Sequence, residues 1–550
     1  MDHSRSLVYV AKTLEDKALG LGKERQLSGT AAMVMFATLL SRITGFLRNV
    51  LINSIMSPQG YSDEFWVAFS LPDLAFELLI GGAIAAAIIP ILASSLSKGE
   101  EKEGWKAIGT FINITIIAVI FVEILFFIRT PFFVSLIAKG YEQGTEQFQL
   151  TVKLTRILLP SAVFMILAGQ CNGILNAYNK FAAASFGPVI YNLCVVISII
   201  IFGKKSVELT SWGVMVSSII YFLLQLLSTW KHFKFYKLQL YIKNETFKKL
   251  ARLAVPSLIT SAVGQINAII CKSFSTEFVQ NSVTVMNNAS RTWQLPLGIF
   301  AQSMGVAILP TLSARFAEKR DEDYKRILYK GLKTVMILCI PSSMVLMLLS
   351  KQIMQVLFGW TTVSYENSIF YGVALLAYAP ALLFQSMVVM LNRAFYSIQN
   401  TKIPLICGAS TIIVNLLANV YFINYTNLGA VGTAMAYVIA VLINAFLLIV
   451  LFTRKTGFEL IPDNFIFILK TTVATIASGL VLWLLIKLIP FPWGEDFTTG
   501  KKIIEILVSG IQIFISLIVF IFVSLLLKID EVRNLTGSIL NRLKKWTKAR

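Results

Sequence analysis

The chain has 550 residues, of which 56% are hydrophobic and 14% charged, and its formal net charge is +20. A soluble domain carries about 25% charged residues, so the composition excludes one and predicts an all-α polytopic membrane protein with little mass outside the bilayer. The basic excess sits in short loops and tails between apolar segments, where retention of Lys and Arg on the cytoplasmic side explains it without nucleic acid as a partner.

Residues 1–28 are mixed polar and charged, with no continuous apolar core and no small-residue cleavage site, so a cytoplasmic segment is expected there and not a cleaved signal peptide. A bilayer core takes about 20 apolar residues per helix. That length predicts fourteen spans, near 30–57, 65–97, 106–128, 150–175, 181–203, 209–230, 250–275, 282–313, 327–350, 366–395, 402–424, 428–453, 464–489 and 502–528. The second, eighth and tenth exceed a straight crossing and are expected to tilt or to bend at Pro or Gly.

Loops after even-numbered spans are rich in Lys and Arg, notably 231–249 and 315–326, whereas those near 58–64, 276–283 and 424–429 are poor in them; Lys204, Lys205, Lys501 and Lys502 run against the trend. The balance places both termini in the cytoplasm, which an even span count requires. The chain also repeats itself with a period near 220 residues. A Leu-Pro, a small-residue run, a second proline, a charged loop and an aromatic residue recur in the pairs Pro90 and Pro310, and Trp105 and Tyr324. Two copies of six spans keep the same orientation, a transporter plan with the site between halves. The expected organisation is an N-lobe at 29–231, a basic linker at 232–249, a C-lobe at 250–455, a further helix pair at 456–530 and a basic tail at 531–550.

The residues offer little to an enzyme. The five cysteines all lie in apolar segments at unrelated spacings, the two histidines lie outside the spans, and there is no Walker A sequence. No metal site, cofactor or catalytic group is expected. The intramembrane charges are the unusual feature. Arg42 and Arg48 lie inside the first span, and a guanidinium stays charged at a cost of about 3 to 17 kcal/mol at bilayer depth. Six positions apart, they fall about 120° apart around a straight helix, so they form no single stripe, yet a bent helix lets long side chains converge on one hydrated cavity. Arg291 heads the eighth span. Lys272, late in the seventh, is either an interfacial anchor or a cavity cation. Glu77 and Glu123 are intramembrane acids, with Glu77 a candidate partner for an arginine. Asp63 begins the second span, where a carboxylate suits a positive helix end. Gly81 and Gly82 give a smooth face for close helix packing or a hinge. Several cations in a repeat-built bundle imply an anionic substrate, and phosphate or pyrophosphate suits arginine forks. The extra helix pair suggests that this substrate has a lipid part.

The stretches SRITGFLRN (41–49), DEFWVAFSLPDL (63–74), GPVIYN (187–192), ASRTWQLPLGIF with MGVAILPTLS (289–313) and NRAFYSIQNTKIP (392–404) resemble the MurJ/MviN lipid II flippases of the MOP exporter superfamily. The resemblance runs from about 28 to 455. It implies two six-helix lobes opening alternately to either side of the membrane, a cationic cavity for the lipid II pyrophosphate and a groove for the polyprenyl tail beside the last two helices. It carries cavity roles to Arg42, Arg48 and Arg291, and the acidic role to Asp63. Where many relatives place an arginine in the second span, this chain has Phe76 and Glu77, and Lys272 is the expected source of the missing positive charge. The expected activity is flipping of lipid II by a monomer working beside the cell-wall synthesis machinery, driven by the membrane potential or an ion gradient. Flipping of another polyprenyl-linked oligosaccharide, of O-antigen, capsule or teichoic type, is the alternative. A MATE-like drug exporter is disfavoured because it calls for acidic cavity residues.

Overall fold

The computed structural model describes residues 33–34, 36–81, 84–360, 368–458, 465–494, 498–534 and 536–537, and among these it is built from helices and turns without β-strand. Twelve described helices are long and apolar enough to cross a membrane, from Glu101–Ile128 to Thr499–Leu526. They coincide with the third to fourteenth expected spans, and the chain is a multi-pass membrane protein. The first two spans take another form. The first is helical over 36–51, widens into a π-turn over Ile52–Met56 and then tightens into a 3-10 turn over Ser57–Gln59. The second is divided into Ser62–Ala68, Ser70–Phe76 and Ile89–Ser97, with wide π-turns at Glu77–Gly81 and Ile84–Ile88.

All three long spans break where bending was expected. The eighth passes from Ser282–Leu297 through a π-turn at Gly298–Gln302, directly after Pro296, into Ser303–Ala317. Pro296 has no N–H for the helical ladder and its ring crowds the turn before it, so the helix is weakened at this point and the π-turn follows two residues on. The tenth breaks between Ser368–Tyr378 and Pro380–Ser397, where proline takes a first-turn position that needs no N–H. Two short helices were not foreseen, Thr130–Ile137 after the third span and Ser350–Phe358 after the ninth. They occupy equivalent places in the sequence repeat.

The smooth face expected at Gly81 and Gly82 lies partly outside the described residues. Gly82 lies outside the described residues, and the backbone on either side of it winds as π-turns. Among the described residues, glycines of the fourth span admit a close approach of the second. A Cβ on Gly169 would lie 3.1 Å from Ile84 Cδ1, and one on Gly173 would lie 2.9 Å from Ile88 Cγ2. This Gly-xxx-Gly spacing puts both glycines on one helix face.

The chain divides into two compact units. One comprises 1–51, 75–128 and 156–258; the other comprises 52–74, 129–155 and 259–550. The core of the first is an apolar cluster around Ile80, Ile88, Trp105, Ile108, Ile166 and Leu250. In the second, the last two spans pack onto the ninth through Met336, Ile337, Phe467, Ala474 and Phe520. Lys502, which ran against the loop-charge trend, is not a loop charge. It forms a 2.6 Å ion pair with Glu505, the two side chains being 3% and 1% exposed, and donates to the Gln355 carbonyl at 3.1 Å. A buried lysine bonded in this way reports packing between the last span and Ser350–Phe358, not the orientation of the chain.

Candidate functional site

The second unit gathers Asp63, Lys272 and Arg291 around one short segment. The Gly60 turn has φ +80°, a conformation open to glycine, and leads into helix Ser62–Ala68. Asp63 is 6% exposed on that helix. Its Oδ1 accepts from the Thr284 N–H at 2.8 Å and the Thr284 hydroxyl at 2.6 Å, and its Oδ2 accepts from the Val283 N–H at 3.3 Å. Those amides open the helix Ser282–Leu297, whose preceding residue Asn281 takes the left-handed φ of 70°. The carboxylate therefore caps the start of the eighth span, satisfying otherwise unpaired N–H groups and meeting the positive end of that helix. The sequence places Asp63 at the start of its own span, and it does lie in the first turn of Ser62–Ala68, but its hydrogen bonds go to a helix start 220 residues further on.

Other bonds reinforce this junction. The Ser62 hydroxyl donates to Asn281 Oδ1 at 3.1 Å, the Thr284 hydroxyl lies 2.8 Å from the Ser62 hydroxyl, and Gln280 Nε2 donates to the Gly60 carbonyl at 3.1 Å. Beneath them Asn53 donates to the Phe358 carbonyl at 3.1 Å and accepts from the Tyr371 hydroxyl. On the 129–155 segment, the Gly140 N–H donates to the Thr276 hydroxyl at 2.9 Å, and the Ser273 hydroxyl donates to the Leu136 carbonyl at 3.1 Å. Segments of the first sequence repeat are thus bonded to the ends of the seventh and eighth spans.

Trp66, one turn beyond Asp63, holds both cations. Lys272 Nζ donates to the Trp66 carbonyl at 3.2 Å and lies 3.5 Å from the Ser70 hydroxyl. The Arg291 guanidinium sits over the Trp66 ring, 5.5 Å from its centroid, with its side chain largely exposed. A guanidinium over an indole face is attracted by about 0.5–2 kcal/mol, depending on how dry the contact is. Neighbouring Glu64 is 1% exposed, and its Oε2 has no hydrogen-bond partner among the described residues.

Arg42, Arg48 and Glu77 belong to the other unit. Arg48 donates to Asn192 Oδ1 at 3.2 Å, and Asn192 Nδ2 in turn donates to the Ser41 carbonyl at 3.3 Å. Two of the resembling stretches, 41–49 and 187–192, therefore meet at a guanidinium and an amide. Arg48 Nε is buried with no partner among the described residues, leaving a donor in reserve. Arg42 is exposed and makes no hydrogen bond or ion pair with a described residue, which suits a group held for an anion. Glu77 is half-buried in its π-turn.

Trp66, Thr284, Glu64 and Asn192 were not singled out from the sequence. All but Thr284 stand inside the quoted stretches, so the signal was present in the motif and was missed by attending to charge alone. Among the described residues no three His, Cys, Asp or Glu side chains gather as a metal site, and all five cysteines are free thiols.

A family model described as "Lipid II flippase MurJ" matches residues 52–499. A probable lipid II flippase MurJ of Buchnera aphidicola subsp. Schizaphis graminum is 28% identical over 492 residues, covering 87% of this chain and 94% of its own. The lipid II flippase MurJ of Burkholderia cenocepacia is 26% identical, covering 83% and 89%. Among solved structures, a lipid II flippase MurJ in an inward closed conformation superposes with a TM-score of 0.71 at 26% identity, covering 89% of this chain and 98% of that one. An inward-facing MATE transporter of the MOP superfamily shares the fold, with a TM-score of 0.63 at 16% identity. With the model matched over most of the chain, and with the resembling stretches meeting at Arg48 and around Trp66, the chain belongs to the MurJ lipid II flippase family.

Proposed function

We propose that the chain flips lipid II, the undecaprenyl-pyrophosphate-linked peptidoglycan precursor, from the inner to the outer leaflet of a bacterial cytoplasmic membrane. Both termini lie in the cytoplasm, and the two sequence repeats, 29–231 and 250–455, are the lobes of an alternating-access transporter. The protein acts as a monomer beside the cell-wall synthesis machinery. Arg42, Arg48, Arg291 and Lys272 bind the pyrophosphate, whose oxygens match guanidinium forks. The undecaprenyl tail stays in lipid along the last two helices. No covalent bond changes, so the protein supplies a path and a conformational switch.

The observation that carries this reading is the cluster around Trp66. Loop charges assign the Gly60 and Gln280 turns to the outer side, and the order of spans puts the Gly140 turn with them. Their bonds to one another, with Asp63 at their centre, act as an outer gate, shut in this structure. Arg291 and Lys272 rest on the same segment, within reach of an anion but held by Trp66. An anion that takes up these cations weakens the tie between Trp66 and the seventh and eighth spans, which favours opening outward. Each positive charge moved across the membrane is worth about 2.3 kcal/mol per 100 mV, so an inside-negative potential drives the return of a cationic, unloaded site.

The test is depletion in a strain with no second flippase. Lipid II reaching the outer face should fall while precursors accumulate inside; unchanged outer-face exposure would overturn the proposal. Restoration by the wild-type gene, and not by one carrying Arg42→Ala, ties the result to the assigned cation.

A further inference from the structure

Within the first unit a cavity of about 720 Å³ opens beneath the turn Trp230–Phe235. Its walls come from the third, fourth and sixth spans through Ile112, Leu167, Phe222 and Leu226, and Lys231 and Lys234 stand at its mouth. Nothing in the flipping mechanism uses it.

The mouth is a built structure. Trp105 Nε1 donates to the Tyr178 hydroxyl at 2.8 Å, that hydroxyl donates to Glu101 at 2.5 Å, and the His232 ring stacks on Tyr178 at 3.9 Å. Phe233 packs against Trp105 at 5.4 Å between centroids. These contacts fix the turn and with it the two lysines. Lys234 is shared with Glu101 at 3.5 Å, whereas Lys231 is exposed with no acidic partner among the described residues, so positive charge is left at the mouth. Trp230, 67% exposed on the same turn, suits the level of lipid headgroups. Deeper in, Gln170 lines the cavity at 2% exposure, and its Nε2 has no hydrogen-bond partner among the described residues. A buried amide donor without an acceptor is costly, and one facing a cavity implies an occupant that brings an acceptor.

We propose that this cavity is a binding site for an anionic phospholipid of the inner leaflet. An acyl chain lies among Ile112, Leu167, Phe222 and Leu226, an ester carbonyl accepts from Gln170 Nε2, and the phosphate sits between Lys231 and Lys234. The walls exclude a purely polar ligand, and the lysines select against a lipid without net charge. The bound lipid joins the basic turn to the third, fourth and sixth spans, just before the linker that leads into the second repeat.

The full-length protein, in vesicles of phosphatidylcholine with or without phosphatidylglycerol, is exposed to phosphatidylglycerol bearing a photoreactive acyl chain, and the crosslinked peptides are mapped. Crosslinks are expected at 167–171 and 222–230 and should fall roughly 30-fold in the Lys231→Glu/Lys234→Glu variant, about 1 kcal/mol for each lysine. The Lys231→Arg/Lys234→Arg variant should keep them, which separates loss of charge from loss of fold. Leu226→Trp, which puts an indole into the apolar wall where the acyl chain lies and leaves both lysines, should also change the crosslinking pattern at 222–230. Equal crosslinking by a photoreactive phosphatidylcholine, crosslinks that persist in the Glu/Glu variant, or an unchanged pattern in the Trp variant, would overturn the proposal. Millimolar inorganic phosphate is the control for the headgroup alone: an unchanged yield supports a lipid, and an abolished yield assigns the site to free phosphate and overturns it.

Discussion

Asp63→Asn tests the outer gate with the smallest change of shape. Asp63 spends both carboxylate oxygens on the eighth span, Oδ1 on Thr284 and Oδ2 on the Val283 N–H. An asparagine keeps one acceptor. With its oxygen toward Thr284, its NH2 faces the Val283 N–H, donor against donor, and one buried amide loses its partner at about 1–3 kcal/mol. The negative charge at the helix start is lost as well, worth about 0.3–2 kcal/mol. Together these weaken the closed gate by about 1.3–5 kcal/mol, so the ratio of open to closed should rise roughly 10- to 4,000-fold. Ser282 reports it: the side chain is fully buried and its hydroxyl has no hydrogen-bond partner among the described residues, so Ser282→Cys removes little. In a background without the five native cysteines, a membrane-impermeant thiol reagent added outside should label Cys at this position slowly in the parent and far faster with Asp63→Asn. Labelling rates within twofold of each other would refute the latch.

Three further outcomes follow from the same geometry. Lys502→Met should destabilise the protein by about 3–5 kcal/mol by leaving Glu505 buried and unpaired, and Lys502→Met/Glu505→Leu should recover most of that loss in thermal melts. Gly173→Ala forces a methyl to 2.9 Å from Ile88 Cγ2 on a stiff β-branched side chain, so a loss of about 1–3 kcal/mol is expected, relieved by Ile88→Ala; an unchanged melting temperature would show that the span shifts freely. Arg42→Ala and Lys272→Ala should each weaken lipid II binding roughly 10- to 100-fold. A Lys272 variant with undiminished binding and flipping, beside a dead Arg42 variant, would remove Lys272 from the site.

The spans, the bends at Pro296 and Pro380 and the membrane class were legible because each is local: apolar length, a missing N–H, a charge count. Arg42, Arg48, Asp63 and Arg291 were legible because ionised groups in apolar stretches are costly enough to need a purpose. What the residues could not disclose were the partners. Asp63 finds its helix 220 residues away, Arg48 meets Asn192 across 144, and Lys502 rests on a carbonyl 147 residues earlier. No periodicity records such pairs. The π-turns around Gly81 were hidden for a different reason: a run of Gly, Ala and Ile has an even helical pattern, and the widening arises in packing against the fourth span. Trp66 was overlooked because an indole near an interface is ordinary; only its position under Arg291 gives it a role.

That position carries a thermodynamic consequence. If Trp66 holds Arg291 and Lys272 only while the outer gate is shut, an anion competing for those cations binds better to the open gate, and by linkage the bound anion shifts the gate toward open by the same factor. The stacking to be displaced is about 0.5–2 kcal/mol, which sets the coupling at roughly 2- to 30-fold. Inorganic pyrophosphate, the headgroup core without sugar or tail, should therefore accelerate thiol labelling of the Ser282→Cys protein in detergent. Trp66→Leu, which removes the ring beneath Arg291, should raise the basal labelling and shrink the response to pyrophosphate. If pyrophosphate slows labelling in the parent, the anion stabilises the closed gate and the direction of coupling is reversed. If it accelerates labelling equally in parent and Trp66→Leu, the cations act on the gate by a route that bypasses Trp66. Either result would remove Trp66 as the element that links the anion to opening of the Asp63 latch.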